Sequence, residues 1–523
     1  MEFHFTKPEV KDVQESEYEI GYTVGDNRSE SFTFVVDPEI QIKKWEYVYI
    51  KAYDDIVLGR VDDLVSKSDL LNDRIDFNSV RKYSENRMNE NVDICIVRII
   101  GSVRDGKIAR SRYLIRPGQP VYKAKREILE SILKFDDDRS LFLGHLADQP
   151  DVRVFANING LRRHLAIIAQ TGAGKSHTAG VIMEELLKKG ASIIVLDPHA
   201  DYVLMKNSQN PIYRDGIRVF RTPMSTGRYT DRLGKVDDFT IRFQDLNYEE
   251  VCEIMGIHEN YVQQSNVVKK IMENLKGRKD VDEFIEKSDS IDLEHRIAPR
   301  IKYLKRIKSI FGNRTTDIGE YLAPARMSVI DLSGLDQGLA NYFAYRVISQ
   351  VYDAKTTGSF EYPVFLFIEE AHNFAPPEKN RGNGASRLLY DLVKKIAAEG
   401  RKFGIFLAII TQRPGKIDQD VLSQCNSQII LRITNPVDQK AILESSENMS
   451  ASLMEDLPSL DIGEAIIIGE IVKMPTIAKI RQRETEEGGV DVEITEMLRK
   501  AREEAAKQRD PSTLIERTRK LVE

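Results

Sequence analysis

No run of about 18 consecutive apolar residues occurs in the 523-residue chain, so nothing in it reads as a membrane-spanning helix. The opening residues, MEFHFTKPEV, lack the apolar core of a secretory leader, and a reducing cytoplasmic setting with no membrane partner is the expectation. Cysteine is scarce. Cys95, Cys252 and Cys425 stand far apart, form no metal-ligand cluster, and read as small buried apolar residues. A surplus of positive charge is also missing. With 76 Lys and Arg against 82 Asp and Glu the net charge is -6, which speaks against a generic basic coat for nucleic acid but leaves room for a local basic surface, such as one lining a channel. What is present, 41% hydrophobic and 30% charged residues, suits a soluble globular chain long enough for several domains.

Four regions follow from the pattern. Residues 1–150 carry β-branched or aromatic runs such as SFTFVVD, EYVYIKAY and VDICIVRIIGSV, separated by polar turns. A small, partly closed β-barrel is the economical reading, because closure hides strand edges; a two-sheet sandwich stays open as the alternative. From residue 151 strand-like runs alternate with stretches long enough for crossover helices: HLAIIAQ, ASIIVLD, RMSVIDLS, YPVFLFIEEAH, FGIFLAIITQRP and SQIILRI. The fold class expected here is α/β, a largely parallel sheet covered on both faces, over 151–246 and 319–475. Residues 247–318 are charged and periodically apolar, and read as a helical insertion. Residues 476–523 form a charged extension that packs on the core or on a neighbour.

The stretch AIIAQTGAGKSHTAG places a glycine-rich turn between an apolar strand and an apolar-striped helix, which is the context a phosphate cradle requires. Residues Gln170, Thr171, Gly172, Ala173, Gly174, Lys175, Ser176, His177 and Thr178 are the candidate nucleotide contacts. Backbone N–H groups surround the β-phosphate and the helix adds its positive end. Lys175 reaches the β and γ oxygens as a point charge, and the Ser176 hydroxyl is a Mg²⁺ ligand. One position departs from the full G-x-x-x-x-G-K-S pattern: its first glycine would be residue 169, where Ala169 stands.

A magnesium nucleotide needs carboxylates at the end of a nearby strand. VFLFIEEAH supplies Glu369 and Glu370; the first suits the Mg²⁺ site, often through water, and the second suits polarising the attacking water. Asp197 and Asp331 end two other strands at the same rim, Asp197 as a supporting residue, while His199 is either a reporter of nucleotide state or an ordinary rim contact. Gln412, after LAIIT, is positioned to sense the γ-phosphate or the water. Arg401 precedes a strand, at the rim away from the cradle, and so suits a neighbour's nucleotide as an arginine finger; Arg432, after SQIIL, serves in cis or trades roles with it.

Taken together, TGAGKS, VLDPHADY, FIEEAHNFAP, EGRKFG, TQRP and ITNPVD, preceded by a strand-rich domain, resemble the HerA family of archaeal bipolar DNA helicases and translocases within the HerA–FtsK group of P-loop ATPases. The resemblance covers nearly the whole chain. It implies a RecA-like core behind an N-terminal HAS barrel, ATP and Mg²⁺ as cofactors, a homo-hexameric ring around double-stranded DNA, and a NurA-like nuclease partner engaged through the barrel in end resection and recombinational repair. By motif, Lys175 and Ser176 match the nucleotide and metal residues, Glu370 the catalytic acid, Gln412 the sensor and Arg401 the trans-acting arginine.

Channel contacts are candidates only: Arg214, Arg218 and Arg221 in one cluster, and Lys379, Arg381 and Arg387 around two glycines in another. A packaging or conjugation-type DNA pump shares the nucleotide chemistry but acts at a membrane. A non-hydrolysing P-loop switch is the other rival, and Glu370 with Gln412 and an arginine argues for turnover instead.

Overall fold

The computed structural model describes residues 19–509 apart from 53–54, 69–70, 72, 74, 86–90, 105, 258–259, 290–293, 381–383, 448 and 489–493. Alternation along SFTFVV turns every second side chain inward, and in Ser31–Val36 the buried residues are Phe32, Phe34 and Val36. Ser31–Val36 pairs antiparallel with Glu19–Val24, followed in space by Pro120–Lys123, Tyr47–Ala52, Asp55–Lys67 and Val92–Arg104. Val92–Arg104 then returns to Ser31–Val36, with Phe32 opposite Val97 and Phe34 opposite Cys95. That pairing closes the sheet and decides for the barrel over the sandwich. Its interior holds Phe32, Phe34, Val48, Ile50, Val57, Val61 and Val97.

The second sheet has 12 strands. Its order is Asp237–Asp238, Ile217–Arg221, Met327–Asp331, Ser192–Asp197, Val364–Ile368, Ile405–Thr411, Leu165–Ile168 and Ser427–Ile430, all parallel, then Glu464–Ile468, Thr476–Ile480, Ser140–Leu146 and Arg153–Asn157, all antiparallel. The central strands are buried on both faces, so they read as continuous apolar runs. Ile168, Leu196, Ile368 and Ile409 face one core, with the helices Gln337–Thr356 and Ala385–Phe403. Ile167, Val195, Phe367 and Ile410 face the other, with the helix Lys175–Lys188 and the barrel residues Tyr49, Leu58 and Tyr122.

Between residues 247 and 318 lie the helices Tyr248–Ile254, Val262–Glu273, Val281–Asp289 and Glu294–Ile307. Their apolar stripes, including Val251, Val268, Phe284 and Leu304, belong to the first core. Two expected borders move. Ser140–Leu146, assigned from sequence to the barrel, is a strand of the second sheet, and Thr476–Ile480, assigned to the charged extension, is its hydrogen-bonded neighbour. Both are short strands, and they pair with each other across more than 300 residues of sequence, which periodicity within either segment does not reveal.

Candidate nucleotide site

Leu165–Ile168 is wholly buried and ends at Ala169, whose amide donates to the Thr411 carbonyl at 3.2 Å. Ala169 is not among the residues at positive φ, so this position makes no demand for glycine. The turn that follows does: Gly172 has φ 78° and Gly174 φ 103°. A Cβ at Gly172 would meet nothing within 4 Å, so the outer side of the turn is open. The helix Lys175–Lys188 starts here. Its first amides have no acceptor within the helix and its positive end faces the turn, which makes the turn a seat for an anion.

Lys175 lies across the rim against the end of Val364–Ile368, two strands away from its own. Its Nζ is 2.5 Å from Glu369 Oε1 and 2.7 Å from Glu370 Oε1. Two carboxylates side by side at a buried strand end cost several kcal/mol in desolvation without a cation, and here Lys175 is that cation. Burial by itself lowers the Lys175 ammonium, but the Glu369 and Glu370 charges reverse this and hold it above the ordinary lysine range. Burial also pushes Glu369 up, a rise that Lys175 reduces without cancelling. Glu370 goes the other way: burial raises it, but the contact with His372 and the charge of Lys175 win and hold its carboxyl at about 2. The two glutamates therefore sit in different electrostatic settings, and Glu370 is held ionised.

Glu370 has φ 49°, a left-handed backbone in a non-glycine residue, which costs about 1 kcal/mol or more and is typical of sites held rigidly for function. His372 Nδ1 is 3.2 Å from Glu370 Oε2 and 3.2 Å from Thr411 Oγ1. Glu369 Oε2 accepts from the Tyr202 hydroxyl at 2.5 Å. The Ser176 hydroxyl donates to Asp201 Oδ2 at 2.9 Å. Asp201 and Tyr202 are themselves fixed by Asp197, whose carboxylate accepts from both their amides at 3.0 and 2.9 Å. Asp197 is buried and its carboxyl is pushed well up by that burial, so it shapes the loop. Asp331 is likewise buried and is engaged by Ser225, Tyr229 and the Ser333 amide.

The rim gathers further candidates. Gln412 Oε1 accepts from the Thr171 hydroxyl at 2.5 Å. Gln170 donates its amide to the Arg432 carbonyl at 3.1 Å, and its side chain accepts from Thr434 at 2.9 Å. Arg432 Nε is buried without a hydrogen-bond partner among the described residues. Thr178 turns back to the Gly174 carbonyl, 2.9 Å away, and so steadies the turn. His177 points elsewhere, to Glu487 and to the Arg481 carbonyl at 2.8 Å. Arg401 is not brought to this group. It is exposed in the last turn of Ala385–Phe403, just before Ile405–Thr411, and thus at the opposite rim from Thr411.

The set fits a magnesium nucleotide: open anion-binding amides, a lysine, a hydroxyl, and carboxylates converge at one strand rim. Among the described residues no group of three or more His, Cys, Asp or Glu could hold a metal ion. Sequence reasoning missed Asp201, Tyr202 and His372. The signal was present in VLDPHADY and EEAH, as polar residues just past strand ends, but their partners are 25, 167 and 39 residues away. Of the channel candidates, Arg218 is taken up by Asp237 and the Glu320 carbonyl, and Arg221 by the Ser225 and Gly227 carbonyls. Arg214 pairs with Asp215. Lys379 and Arg387 are exposed, Arg381 lies outside the described residues, and His199 is exposed.

A family model described as "Helicase HerA, central domain" matches residues 141–351, and one described as "HAS barrel domain" matches residues 20–105. The chain is similar to the "Probable DNA double-strand break repair helicase HerA" of Methanocaldococcus jannaschii, 31% identical over 76% of this chain and 87% of that one. It is also similar to the "DNA double-strand break repair helicase HerA" of Pyrococcus furiosus, 29% identical over 88% of this chain and 92% of the relative. Among solved structures it is similar to VirB4 of Thermoanaerobacter pseudethanolicus, 14% identical over 66% of this chain and 97% of that one, with a TM-score of 0.47. Among the described residues no helix is long and apolar enough to cross a membrane.

Proposed function

Because this chain belongs to the HerA family, we infer that it is an ATP-driven DNA translocase and helicase. One observation carries the reading at this site: the Lys175 ammonium bridging Glu369 and Glu370 at 2.5 and 2.7 Å, beside an open glycine turn. With a nucleotide bound, Lys175 would leave the glutamates for the β and γ phosphate oxygens, and the turn amides would hold the same group. Ser176, Asp201 and Glu369 are the residues that would hold Mg²⁺, which supplies charge neutralisation to the phosphates. Glu370, ionised and fixed by His372, orients the attacking water and accepts its proton; Gln412 hydrogen-bonds the water or the γ-phosphate. Arg432 serves in cis.

Arg401, at the far rim, serves the nucleotide of the next subunit, and turnover then requires a ring. We take that ring to be a homo-hexamer in the cytoplasm with duplex DNA in its channel, where exposed residues such as Lys379 and Arg387 track phosphates. The Pyrococcus furiosus relative is named as a DNA double-strand break repair helicase, and the Methanocaldococcus jannaschii one as a probable one. Repair of ends is therefore the proposed setting, with a NurA-like nuclease docked on the barrel.

The test is ATP hydrolysis by the purified full chain with and without long linear duplex DNA, beside Lys175→Ala. Stimulation by duplex that disappears in the variant is the expected result. Turnover indifferent to DNA would sink the motor reading, and tight nucleotide binding with no turnover in any condition would replace it with a switch.

A further inference from the structure

His164 takes no part in the site just described, yet it is 2% exposed and both ring nitrogens are engaged. Nδ1 accepts the Leu407 amide at 2.9 Å, and Nε2 lies 3.0 Å from the Ala397 carbonyl. Since Nδ1 accepts, Nε2 carries the proton and donates it to Ala397. Burial pushes the ring down to about 4, so it stays neutral and this tautomer persists across the working pH range. The backbone has φ 61°, a conformation that a non-glycine residue keeps only where its surroundings insist on it.

These two bonds join three pieces of structure. Ala397 lies in the turn before the last of Ala385–Phe403, four residues before Arg401, so in an α-helix its carbonyl is also the one that the Arg401 amide meets. Leu407 lies in the strand that follows Arg401. The turn between them is closely seated, because a Cβ at Gly400 would lie 2.9 Å from the Ile405 carbonyl oxygen. His164 itself immediately precedes Leu165–Ile168, the four-residue strand whose other end enters the glycine turn. Four residues of strand span roughly 13 Å. The nucleotide turn and the anchor of Arg401 are thus the two ends of one short buried rod, paired on both sides within the sheet.

We propose that His164 is a positioning residue for Arg401, holding the carbonyl that begins the last turn of that helix so that the guanidinium is presented to the neighbouring subunit's nucleotide. It makes Leu165–Ile168 the link between the phosphates bound by one subunit and the arginine which that subunit offers to the next. The proposal rests on the trans role of Arg401 given above.

The experiment uses the full-length protein and two single variants. His164→Asn keeps an acceptor near the Nδ1 position for Leu407 but is too short to reach Ala397; His164→Gln keeps a donor near the Nε2 position. A misplaced catalytic group costs up to about 100-fold, so His164→Asn is expected to lower kcat by about tenfold or more with little change in KM for ATP, and His164→Gln to restore most of it. His164→Asn combined with Arg401→Ala is expected to be no slower than Arg401→Ala alone, because both act through one group. Rings mixed from His164→Asn and Lys175→Ala subunits are expected to turn over faster than either alone, since the latter subunit offers a well-held Arg401 to an intact site. The proposal is overturned if His164→Asn has wild-type kcat, if the double variant is additively slower, or if mixing rescues Arg401→Ala but not His164→Asn. If mixing with Lys175→Ala fails to rescue Arg401→Ala itself, the trans role of Arg401 is what falls, and this inference falls with it.

Discussion

Glu369 and Glu370 are buried neighbours of the same chemical type that differ in their partners and in the direction their surroundings push them. Glu370 is held at about 2 against the pull of burial, by His372 and Lys175, so it enters the reaction as a carboxylate. In the proposed mechanism Glu370→Gln removes the proton acceptor but not the phosphate cradle. Hydrolysis is expected to fall by about 10²-fold or more while nucleotide still binds, read by steady-state turnover beside equilibrium binding. His372→Ala tests the setting of the carboxyl. Lys175 leaves Glu370 when nucleotide binds, but the His372 contact stays and still lowers the carboxyl; a depressed carboxyl is ionised until the pH falls through its folded value, so no acid limb from Glu370 is expected near neutrality. Without His372 one lowering influence is gone, and the acid limb of the pH–rate profile moves up toward the ordinary glutamate range of about 4.3. A limb that stays put would remove His372 from the account.

At the scale of elements, the segment 481–488 ties the sheet to the nucleotide helix. Arg481 pairs at 2.8 Å with both Glu184 and Glu185 on Lys175–Lys188, and Glu184 Oε1 accepts the amides of Glu484 and Thr485 at 2.9 and 2.8 Å. Arg483 packs where a Cβ on Gly180 would lie 2.6 Å from its Nε. Breaking a buried pair from one side costs about 3–5 kcal/mol. Glu184→Ala is therefore expected to lower Tm by several degrees and to open the chain after residue 480 to limited proteolysis; an unchanged cleavage pattern would mean the strap is held by other contacts. The sequence reading let this extension pack on the core or on a neighbour without saying where, because alternating charge reads as solvated surface whether or not a partner carboxylate is buried beneath it. The glycine turn, the strand carrying Glu369 and Glu370, and the crossover pattern were legible, since each is a local signal of apolar run followed by turn. Barrel closure, the Asp201 and Tyr202 contacts, and the placement of Ser140–Leu146 were not, because each is decided by a partner remote in sequence.

For the molecule as a whole, the barrel and core meet in polar contacts as well as apolar ones. Lys44 and the indole N–H of Trp45 both reach Asp456, at 2.5 and 2.8 Å, and Ser452 donates to Asp62 of the barrel at 2.9 Å. Trp45 is the single tryptophan of the chain, so it reports on this junction. Asp456→Ala leaves the indole without its acceptor, and a shift of tryptophan emission at denaturant concentrations below global unfolding is the expected sign of a loosened barrel. A tryptophan transition that coincides with global unfolding would show that barrel and core unfold as one unit. The strand Ser140–Leu146 gives that unity a practical edge. Severing the chain near residue 150, where composition changes, would take away the strand that lies between Thr476–Ile480 and Arg153–Asn157. It would leave a bare row of amides and carbonyls, the kind of template on which other chains aggregate. The motor is therefore not a cassette that can be lifted out at the seam visible in the sequence: the smallest piece able to stand alone must begin before residue 140, and any recombination that swaps barrels between motors must respect the same stitch.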